Sequence, residues 1–239
     1  MSDFNAPRLF VDDDLPGPIS FDQRQTNYLK NVMRLKAGDT IIVFNGRDGE
    51  YRALIGGLGK KAGEAVGEEK LRPQTKRPSL WYAFAPLKQA RLDYMVEKAA
   101  EMGAGRLVPV LTQHGQVRRI NRDRLTANIV EACEQCGILS VPEIVDPMPL
   151  ATFLGSLDGR ALVVADEAIA GEEGDPIATI RAAGQPLAVL VGPEGGFSEE
   201  ERALFLPRSH RVSLGPRVLR ADTAAVALLA LVEAAFPSA

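Results

Sequence analysis

Two different patterns of hydrophobic and polar positions divide the 239-residue chain. In the first, short apolar runs alternate with tight turns, as in Ile41–Phe44, the turn residues 45–49 and Tyr51–Ile55. This spacing is typical of β-hairpins, and one helix is predicted over Gln23–Met33. The pattern predicts a small β-barrel or sheet domain over residues 1–72, followed by a polar, proline-containing linker at 73–79.

From residue 80 onward, apolar strands alternate with amphipathic helices. Helices are predicted over Gln89–Met102, which Gly103 can cap, and over Arg122–Cys136. Apolar strands separated by helices are typical of a parallel sheet covered on both faces, so residues 80–239 are predicted to form an α/β domain. The predicted strands are 80–85, 107–111, 161–165, 187–191 and 212–214.

Two of the predicted strands run into similar glycine–proline loops, at Val191–Pro193 and at Leu214–Pro216. In a parallel α/β sheet, ligands bind beyond the carboxyl ends of the strands. Glycines there allow the backbone to approach a ligand closely. The two loops are therefore predicted to form a floor of backbone N–H and C=O groups that could bind a flat heterocycle. Ordinary turns are the alternative for each loop taken alone.

A helix is predicted to start directly after each loop. Ser198 can cap the first helix in a capping box with Glu201, and Asp222 or Thr223 can cap the second. The second helix is apolar almost all round, which predicts burial on more than one side.

Other nucleotide-binding motifs fit the sequence poorly. There is no Walker sequence, and no G-x-G-x-x-G opens a helix after a strand. The run 57–62 is a superficial G-x-G-x-x-A that lies between predicted strands, so it is not interpreted as a nucleotide site. A nucleotide-dependent oxidoreductase is disfavoured for the same reason.

Composition and charge indicate a soluble protein that does not coat nucleic acid indiscriminately, with a net charge of −3 and a pI of about 5.6. No secretory signal or membrane span is predicted, so the expected location is cytoplasmic. Cys133 and Cys136 lack metal-ligand partners and sit late in a helix, which favours structural thiols over a metal or redox site. Three basic clusters are compatible with binding of a polyanionic partner: Arg72, Lys76 and Arg77; Arg118, Arg119, Arg122 and Arg124; Arg208, Arg211, Arg217 and Arg220.

Four stretches together resemble the RsmE family of 16S rRNA uridine-N3 methyltransferases, within the SPOUT superfamily. They are LVGPEGGFSEEE from residue 190, LGPRVLRADTAAVALL from 214, RLDYMVEKAAEMGAGRLVPVLT from 91 and IVEACEQCG from 129. Residues 29–39 and 44–55 resemble the family's small N-terminal barrel, which is similar to PUA RNA-binding domains.

The resemblance implies a fold and an activity that the periodicity does not reveal. The second domain would carry a trefoil knot, and the protein would be a homodimer that methylates 16S rRNA in the small ribosomal subunit. The cofactor would be S-adenosylmethionine, and no metal is implied. Another rRNA or tRNA position, a ribose 2′-OH, or an RNA-binding module with an inactive cofactor site remain as alternatives.

The resemblance also implies functional residues, in three groups. Arg220, Glu194 and Asp222 would be catalytic, although Glu194 could equally brace its own turn. The RNA-binding residues would be Arg8, Arg24, Lys30, Arg34, Lys88, Arg91 and Arg217. The cofactor-binding residues would be Ala165, Asp166, Leu190, Val191, Gly192, Pro193, Glu194, Gly195, Gly196, Leu214, Gly215, Val218, Leu219 and Arg220.

Three positions depart from the family pattern. Ile138 and His114 stand where the family usually has arginine, and Asp222 replaces a glutamate. His114 is expected to contact RNA or to have no role. The cofactor loops themselves match the family.

Overall fold

The computed structural model of the chain describes residues 6–237, which form two compact units. The first unit contains the described residues up to Arg77 together with Cys133–Val141, and the second contains the rest. The segment 133–141 lies inside the range 80–239 that the sequence pattern assigns to a single domain. Hydrogen bonds within the first unit hold this segment, because Arg72 donates to the carbonyl oxygen of Gly137 at 2.9 Å and Gln74 to that of Leu139 at 3.2 Å.

A five-stranded sheet forms the first unit, in the order β1-β3-β4-β5-β2. Strands β1 and β3 are parallel, and the other neighbouring pairs are antiparallel. Helix α1 (Gln23–Asn27) starts in a capping box of Asp22 and Gln25 and continues as a π-helical turn over Tyr28–Val32, which confirms the predicted helix. The strands are β1 (Arg8–Phe10), β2 (Pro18–Phe21), β3 (Thr40–Phe44), β4 (Glu50–Leu58) and β5 (Gly63–Arg72).

The predicted hairpin between β3 and β4 is confirmed. Its turn is stabilised by Asn45, whose side-chain oxygen accepts hydrogen bonds from the backbone N–H groups of Arg47 and Asp48. Gly49 has φ +104°, and a Cβ atom there would lie 2.4 Å from the carbonyl oxygen of Arg72, so only glycine fits. The glycine-rich run 57–62 ends β4 and leads into β5.

Glu50 is fully buried in the first unit and bridges two arginines. Its carboxylate accepts hydrogen bonds from Arg8 at 2.7 Å and from Arg72 at 2.6 and 2.8 Å. Burial alone would raise the pKa of Glu50, but the hydrogen bonds from Arg72 and Arg8 outweigh burial and hold that pKa below its ordinary value. The predicted RNA contact by Arg8 does not fit this geometry, because its side chain is buried.

The second unit is built on a parallel sheet in the order β12-β10-β11-β6-β7-β8, with β9 pairing to β7. Its strands are β6 (Trp81–Phe84), β7 (Arg106–Leu111), β8 (Glu143–Ile144), β9 (Met148–Pro149), β10 (Ala161–Ala165), β11 (Leu187–Val191) and β12 (Ser209–Val212). Its helices are α2 (Gln89–Glu101), α3 (Arg122–Cys136, whose last turn belongs to the first unit), α4 (Leu150–Gly155), α5 (Pro176–Ala183), α6 (Glu199–Phe205) and α7 (Ala221–Ala235).

Helices pack on both faces of the parallel sheet, as the alternation of strands and helices predicts. Phe153 of α4 and Phe205 of α6 pack with Leu162, Val164 and Leu190 from the strands. Helix α7 packs against α2, α5 and β11. Its buried residues recur at intervals of three and four and share one face of the helix, so the described residues do not show the predicted burial on more than one side: Ala221, Ala224, Ala225, Leu228, Leu229, Val232 and Ala235.

Two local predictions around α7 are wrong. The strand predicted over 212–214 is β12, which ends at Val212, so Leu214 lies in a loop. Helix α7 begins at Ala221, and neither Asp222 nor Thr223 caps it. Instead, Asp222 occupies the first turn, where a carboxylate interacts favourably with the helix dipole.

The two cysteines differ in environment. Cys133 is buried, which raises the pKa of its thiol to about 12 with smaller contributions from Cys136 and Glu134. Cys136 is exposed. A thiol that stays protonated is a poor nucleophile, so this geometry supports a structural role for Cys133.

Among residues 6–237, no helix is both long and apolar enough to cross a bilayer. In the same part of the chain, no three His, Cys, Asp or Glu side chains form a group that could hold a metal ion.

Replacement of the buried carboxylate tests the role of Glu50. We expect Glu50→Gln to lower the free energy of unfolding by about 3 kcal/mol at pH 7, because two arginines lose the carboxylate that balances them. Since the folded-state pKa of Glu50 is lowered, this stabilisation is present at neutral pH and is lost as the pH falls through that pKa. Urea unfolding of both proteins at pH 7 and at acidic pH should therefore show a difference that shrinks on acidification.

Glu69→Gln is the matched control for this measurement, because Glu69 pairs with Arg52 on the exposed side of the same sheet. Glu69→Gln should lower the free energy of unfolding by less than about 1 kcal/mol. Equal losses of stability in Glu69→Gln and Glu50→Gln would contradict the account of Glu50.

Candidate ligand-binding cleft

Three neighbouring strands of the second unit end side by side. Ala165 at the end of β10 is in register with Val191 of β11 and with Val212 of β12. Because the strands are parallel, the loops that follow them meet at one edge of the sheet. The cleft between these loops contains about 530 Å³ of space, part of it open to solvent, which is in the range of small-molecule sites.

Most of the predicted cofactor-binding residues line this cleft, and a few lie elsewhere. Leu190 is buried in the core, Glu194 and Gly195 line a second, neighbouring cleft, and Arg220 precedes α7. The predicted residues that line the first cleft are Ala165, Asp166, Val191, Gly192, Pro193, Gly196, Leu214, Gly215, Val218 and Leu219.

Sequence reasoning missed seven residues of the cleft wall. Glu167 follows the predicted residue Asp166, and Phe197 follows the predicted residue Gly196. Their position in the loops that leave the strand ends could have identified them. Arg217 was expected to contact RNA only. The others are Ala170, Val212, Ala221 and Ala224.

Hydrogen bonds hold two of the three loops together. The backbone N–H of Gly171 donates to the carbonyl oxygen of Gly215 at 3.1 Å and to the hydroxyl oxygen of Ser213 at 3.2 Å. The N–H of Asp166 donates to the carbonyl oxygen of Val212 at 3.3 Å. The loop after β10 and the loop after β12 therefore form one connected wall.

Several backbone donors at the cleft have no partner in the protein. Within residues 6–237, no acceptor is present for the backbone N–H groups of Gly192, Val218 and Leu219. Gly192 and Leu219 are partly buried, where N–H groups normally find a partner, whereas Val218 is exposed and its N–H can bond to water. A planar ligand with ring nitrogens could supply acceptors here, which is the chemistry that the sequence predicts for the two loops.

Two glycines shape the middle loop. A Cβ atom at Gly192 would lie 2.8 Å from the ring of Phe197, which is itself packed edge-on against Phe205. Gly196 has φ +67°, and a Cβ atom there would lie 1.7 Å from a carboxylate oxygen of Glu167. Glycine is therefore favoured at 192 by the packed Phe197 ring and at 196 by the positive φ, where an added methyl group would also have to move the flexible end of Glu167.

A network of charged side chains supports the wall of the cleft. Arg202 of α6 forms a salt bridge with the fully buried carboxylate of Asp166 and lies 3.9 Å from Glu167. The second carboxylate oxygen of Asp166 lies 3.6 Å from Arg211, beyond hydrogen-bond distance, and has no hydrogen-bond partner within residues 6–237. That oxygen can accept a hydrogen bond from a hydroxyl or amino group of a ligand.

The second cleft lies on the other side of the same glycine loop and shares Pro193 with the first. Glu194 lines it and forms a salt bridge with Arg91 of α2. Its remaining lining residues are Pro86, Leu87, Lys88, His114, Gln116, Val117 and Gly195.

His114 contacts the glycine loop directly, a contact that the sequence does not predict, and its side chain remains exposed. Its Nδ1 lies 2.9 Å from the carbonyl oxygen of Gly195 and 3.1 Å from that of Gly196. The position of His114 is fixed by its neighbour Gln113, whose backbone N–H donates to Glu201 at 2.8 Å. Glu201 also closes the capping box of α6 with Ser198, as predicted from the sequence.

The remaining predicted RNA-binding residues are exposed or partly exposed. Arg24 and Lys30 lie on the helical turns of the first unit, and Arg34 lies in the loop that follows them. Lys30 also donates to the carbonyl oxygen of Leu58 at 3.0 Å. Lys88 and Arg91 lie at the second cleft of the second unit.

Comparisons with known proteins match both units. A family model described as an RNA methyltransferase domain matches residues 74–233, and one described as an RNA methyltransferase PUA domain matches residues 21–66. A ribosomal RNA small subunit methyltransferase E from Rickettsia conorii is 32% identical over 208 residues, covering 86% of this chain and 85% of that protein. One from Synechocystis is 27% identical, covering 92% and 74%.

Solved structures agree with the sequence matches. A Legionella pneumophila protein in complex with S-adenosylmethionine is 28% identical, with a TM-score of 0.80 and coverage of 96% of this chain and 98% of that one. A ribosomal RNA small subunit methyltransferase E from Neisseria gonorrhoeae has the same fold, with a TM-score of 0.83, 24% identity and coverage of 96% and 97%.

The parallel sheet, its loop cleft and the matched family models define the class: an α/β RNA methyltransferase domain with a PUA domain. Sequence identity over most of both chains then gives the particular family. The chain belongs to the ribosomal RNA small subunit methyltransferase E family.

Loss of Arg202, which pairs with the buried carboxylate of Asp166 at the cleft wall, should lower the stability of the protein. We expect Arg202→Gln to lower the free energy of unfolding by about 3 kcal/mol, because the buried carboxylate of Asp166 loses its closest charged partner. In the double variant with Asp166→Asn, the change in the free energy of unfolding should differ from the sum of the two single changes. The difference, which is the coupling energy of the pair, should exceed about 1 kcal/mol. Urea unfolding of the four proteins measures this coupling.

Arg122→Gln serves as the control, because Arg122 pairs with Asp146 at 3.0 Å where both side chains are well exposed. It should cost less than about 1 kcal/mol. Additive effects of Arg202→Gln and Asp166→Asn would contradict the proposed pairing.

Proposed function

We propose that this protein transfers the methyl group of S-adenosylmethionine to N3 of a uracil base in 16S rRNA of the small ribosomal subunit. The observation that carries the proposal is the loop cleft, with its unpaired backbone donors, in a member of the ribosomal RNA small subunit methyltransferase E family. The Legionella pneumophila structure, in the same fold, contains S-adenosylmethionine.

The residues of the cleft fit this cofactor chemically. The unpaired N–H groups of Gly192, Val218 and Leu219 suit the ring nitrogens of adenine, and the buried Asp166 carboxylate oxygen that has no hydrogen-bond partner within residues 6–237 suits a ribose hydroxyl or an amino group. The absence of a Walker or G-x-G-x-x-G motif agrees with a cofactor that has no phosphate. When bound, S-adenosylmethionine supplies an electrophilic methyl group carried on a sulfonium.

We further propose that the loops after β10, β11 and β12 form the trefoil knot of the SPOUT superfamily and that the first unit is a PUA-like barrel. The proposed domain limits are 1–72 and 80–239, with the linker at 73–79. A homodimer in the cytoplasm, with no membrane partner, is proposed from the family resemblance.

Uracil N3 carries an imide proton and becomes nucleophilic only when that proton leaves. We assign to Arg220 the stabilisation of negative charge on the uracil oxygens, as oriented cations do at other sites. Glu194, in its salt bridge with Arg91, would orient the base, and Asp222, in the first turn of α7 outside both clefts, is a catalytic candidate from the family resemblance alone. The exposed cations Arg24, Lys30, Arg34, Lys88, Arg91 and Arg217 would contact RNA phosphates.

Identification of the methylated atom tests the proposed function. The purified protein is incubated with isotope-labelled S-adenosylmethionine and small ribosomal subunits that lack the modification, and the digested RNA is analysed by mass spectrometry. We expect label in N3-methyluridine at one 16S site. Label in another nucleoside, or in a ribose, would contradict the substrate assignment, and measurable cofactor binding without label would indicate an inactive RNA-binding module.

Substitution of one cleft glycine tests the cofactor site. Gly196→Ala should weaken binding of S-adenosylmethionine at least about 10-fold, because an L-residue at positive φ costs about 1–2 kcal/mol and the new methyl group must displace Glu167. Calorimetric titration measures the affinity. Gly155→Ala, at the end of α4 with open space around it, should bind like the original protein, and equal affinity of the two variants would place the cofactor elsewhere.

A further inference from the structure

From the geometry of His114, we propose that this histidine faces the target base in the second cleft and takes the N3 proton of uracil on its Nε2. The inference rests on the proposed function, because it names the group that accepts the proton in that reaction. Neither the family matches nor the sequence resemblance gives this role to His114.

The hydrogen bonds of His114 determine which ring nitrogen carries hydrogen. Nδ1 lies 2.9 Å from the carbonyl oxygen of Gly195 and 3.1 Å from that of Gly196. Both carbonyl oxygens can only accept, so Nδ1 must be the donor. In the neutral ring, Nε2 is then the nitrogen with the lone pair, ready to accept a proton.

The surroundings of His114 match the hydrogen-bonding edge of uracil. That edge presents one N–H donor, N3, between two carbonyl acceptors. The second cleft offers the lone pair of His114 together with two donors, the Lys88 ammonium and the Gln116 amide. All three side chains are exposed, so a base extruded from RNA can reach them.

The second cleft is also adjacent to the cofactor cleft. Pro193 lines both clefts, and Gly195 and Gly196 separate them, one residue on each side. His114 holds the carbonyl groups of both glycines. A base in the second cleft would therefore meet the proposed methyl donor where the two clefts adjoin, at Pro193.

Glu194 and Asp222 are less suited to take the proton. The Glu194 carboxylate is balanced by Arg91 in a salt bridge. Asp222 accepts a hydrogen bond from the N–H of Thr223 at 3.0 Å and does not line either cleft. His114 is the side chain of the second cleft with an uncommitted basic nitrogen, within the part of the chain that the structure describes.

The proposed step consists of a proton transfer and a methyl transfer. The N3–H bond of uracil breaks, its proton moves to Nε2 of His114, and the electron pair stays on N3. That pair forms the new bond to the methyl carbon as the carbon–sulfur bond breaks, and the leaving pair remains on sulfur. The imidazolium of His114 then releases its proton to water.

Nuclear magnetic resonance can test the tautomer without any turnover, because the chain has only two histidines, His114 and His210. Nitrogen-15 shifts of the uniformly labelled protein should show neutral His114 with hydrogen on Nδ1. His210 lies on β12 with no side-chain hydrogen bond among residues 6–237, and it serves as the internal reference. Hydrogen on Nε2 of neutral His114 would overturn the proposal.

Kinetics of His114→Asn test the proton transfer itself. The amide N–H of asparagine can still donate to the carbonyl of Gly195, but the side chain has no basic nitrogen. We expect cofactor affinity within about 3-fold of the original protein and a single-turnover methylation rate lowered about 100-fold, the usual contribution of a general base. Added imidazole should restore part of the rate in His114→Ala.

His210→Asn is the matched control and should retain the full methylation rate. A full rate in His114→Asn, or a loss that disappears at saturating cofactor, would overturn the proposal, since the latter is expected if His114 only braces the loop. Failure of the original protein to label uracil would refute the proposed function instead, and the tautomer measurement would still report on His114.

Discussion

The register of three parallel strands is the constraint on which the candidate site depends. Ala165, Val191 and Val212 lie side by side at the ends of β10, β11 and β12, so loops that are 20 to 50 residues apart in sequence converge on one cleft. A shift of any one strand would move its loop away from the other two. The apolar core around Leu190 and Phe205, on one face of the sheet, holds this register.

The loops are kept open by local chemistry that a typical core would not contain. The buried carboxylate of Asp166 is tolerated because Arg202 balances it and the backbone N–H of Ala168 donates to it at 3.1 Å. Glycine at 196 leaves room for the Glu167 carboxylate. The buried charge and the unusual backbone are concentrated at the site, whereas the rest of the second unit is well packed. This distribution is usual in proteins that bind ligands.

The sequence predicted most of the fold because strands and helices follow simple periodicities. Strands 161–165 and 187–191 and helix Arg122–Cys136 match the structure, and the capping box at Ser198 is confirmed. Periodicity failed at β12, because Leu214 is apolar yet lines a loop. The pairing of Arg202 with Asp166, and the contact of His114 with the glycine loop, join residues 36 and 81 positions apart, which local patterns cannot reveal.

Amide spectra recorded during a titration with S-adenosylmethionine would test most directly whether the loop backbone binds the cofactor. The account predicts that the largest shift changes fall on the unpaired N–H groups of Gly192, Val218 and Leu219. The first unit, including the glycine-rich turn at 57–62, should be unaffected. Unchanged amides at these three residues under saturating cofactor, or changes confined to the first unit, would contradict the central claim.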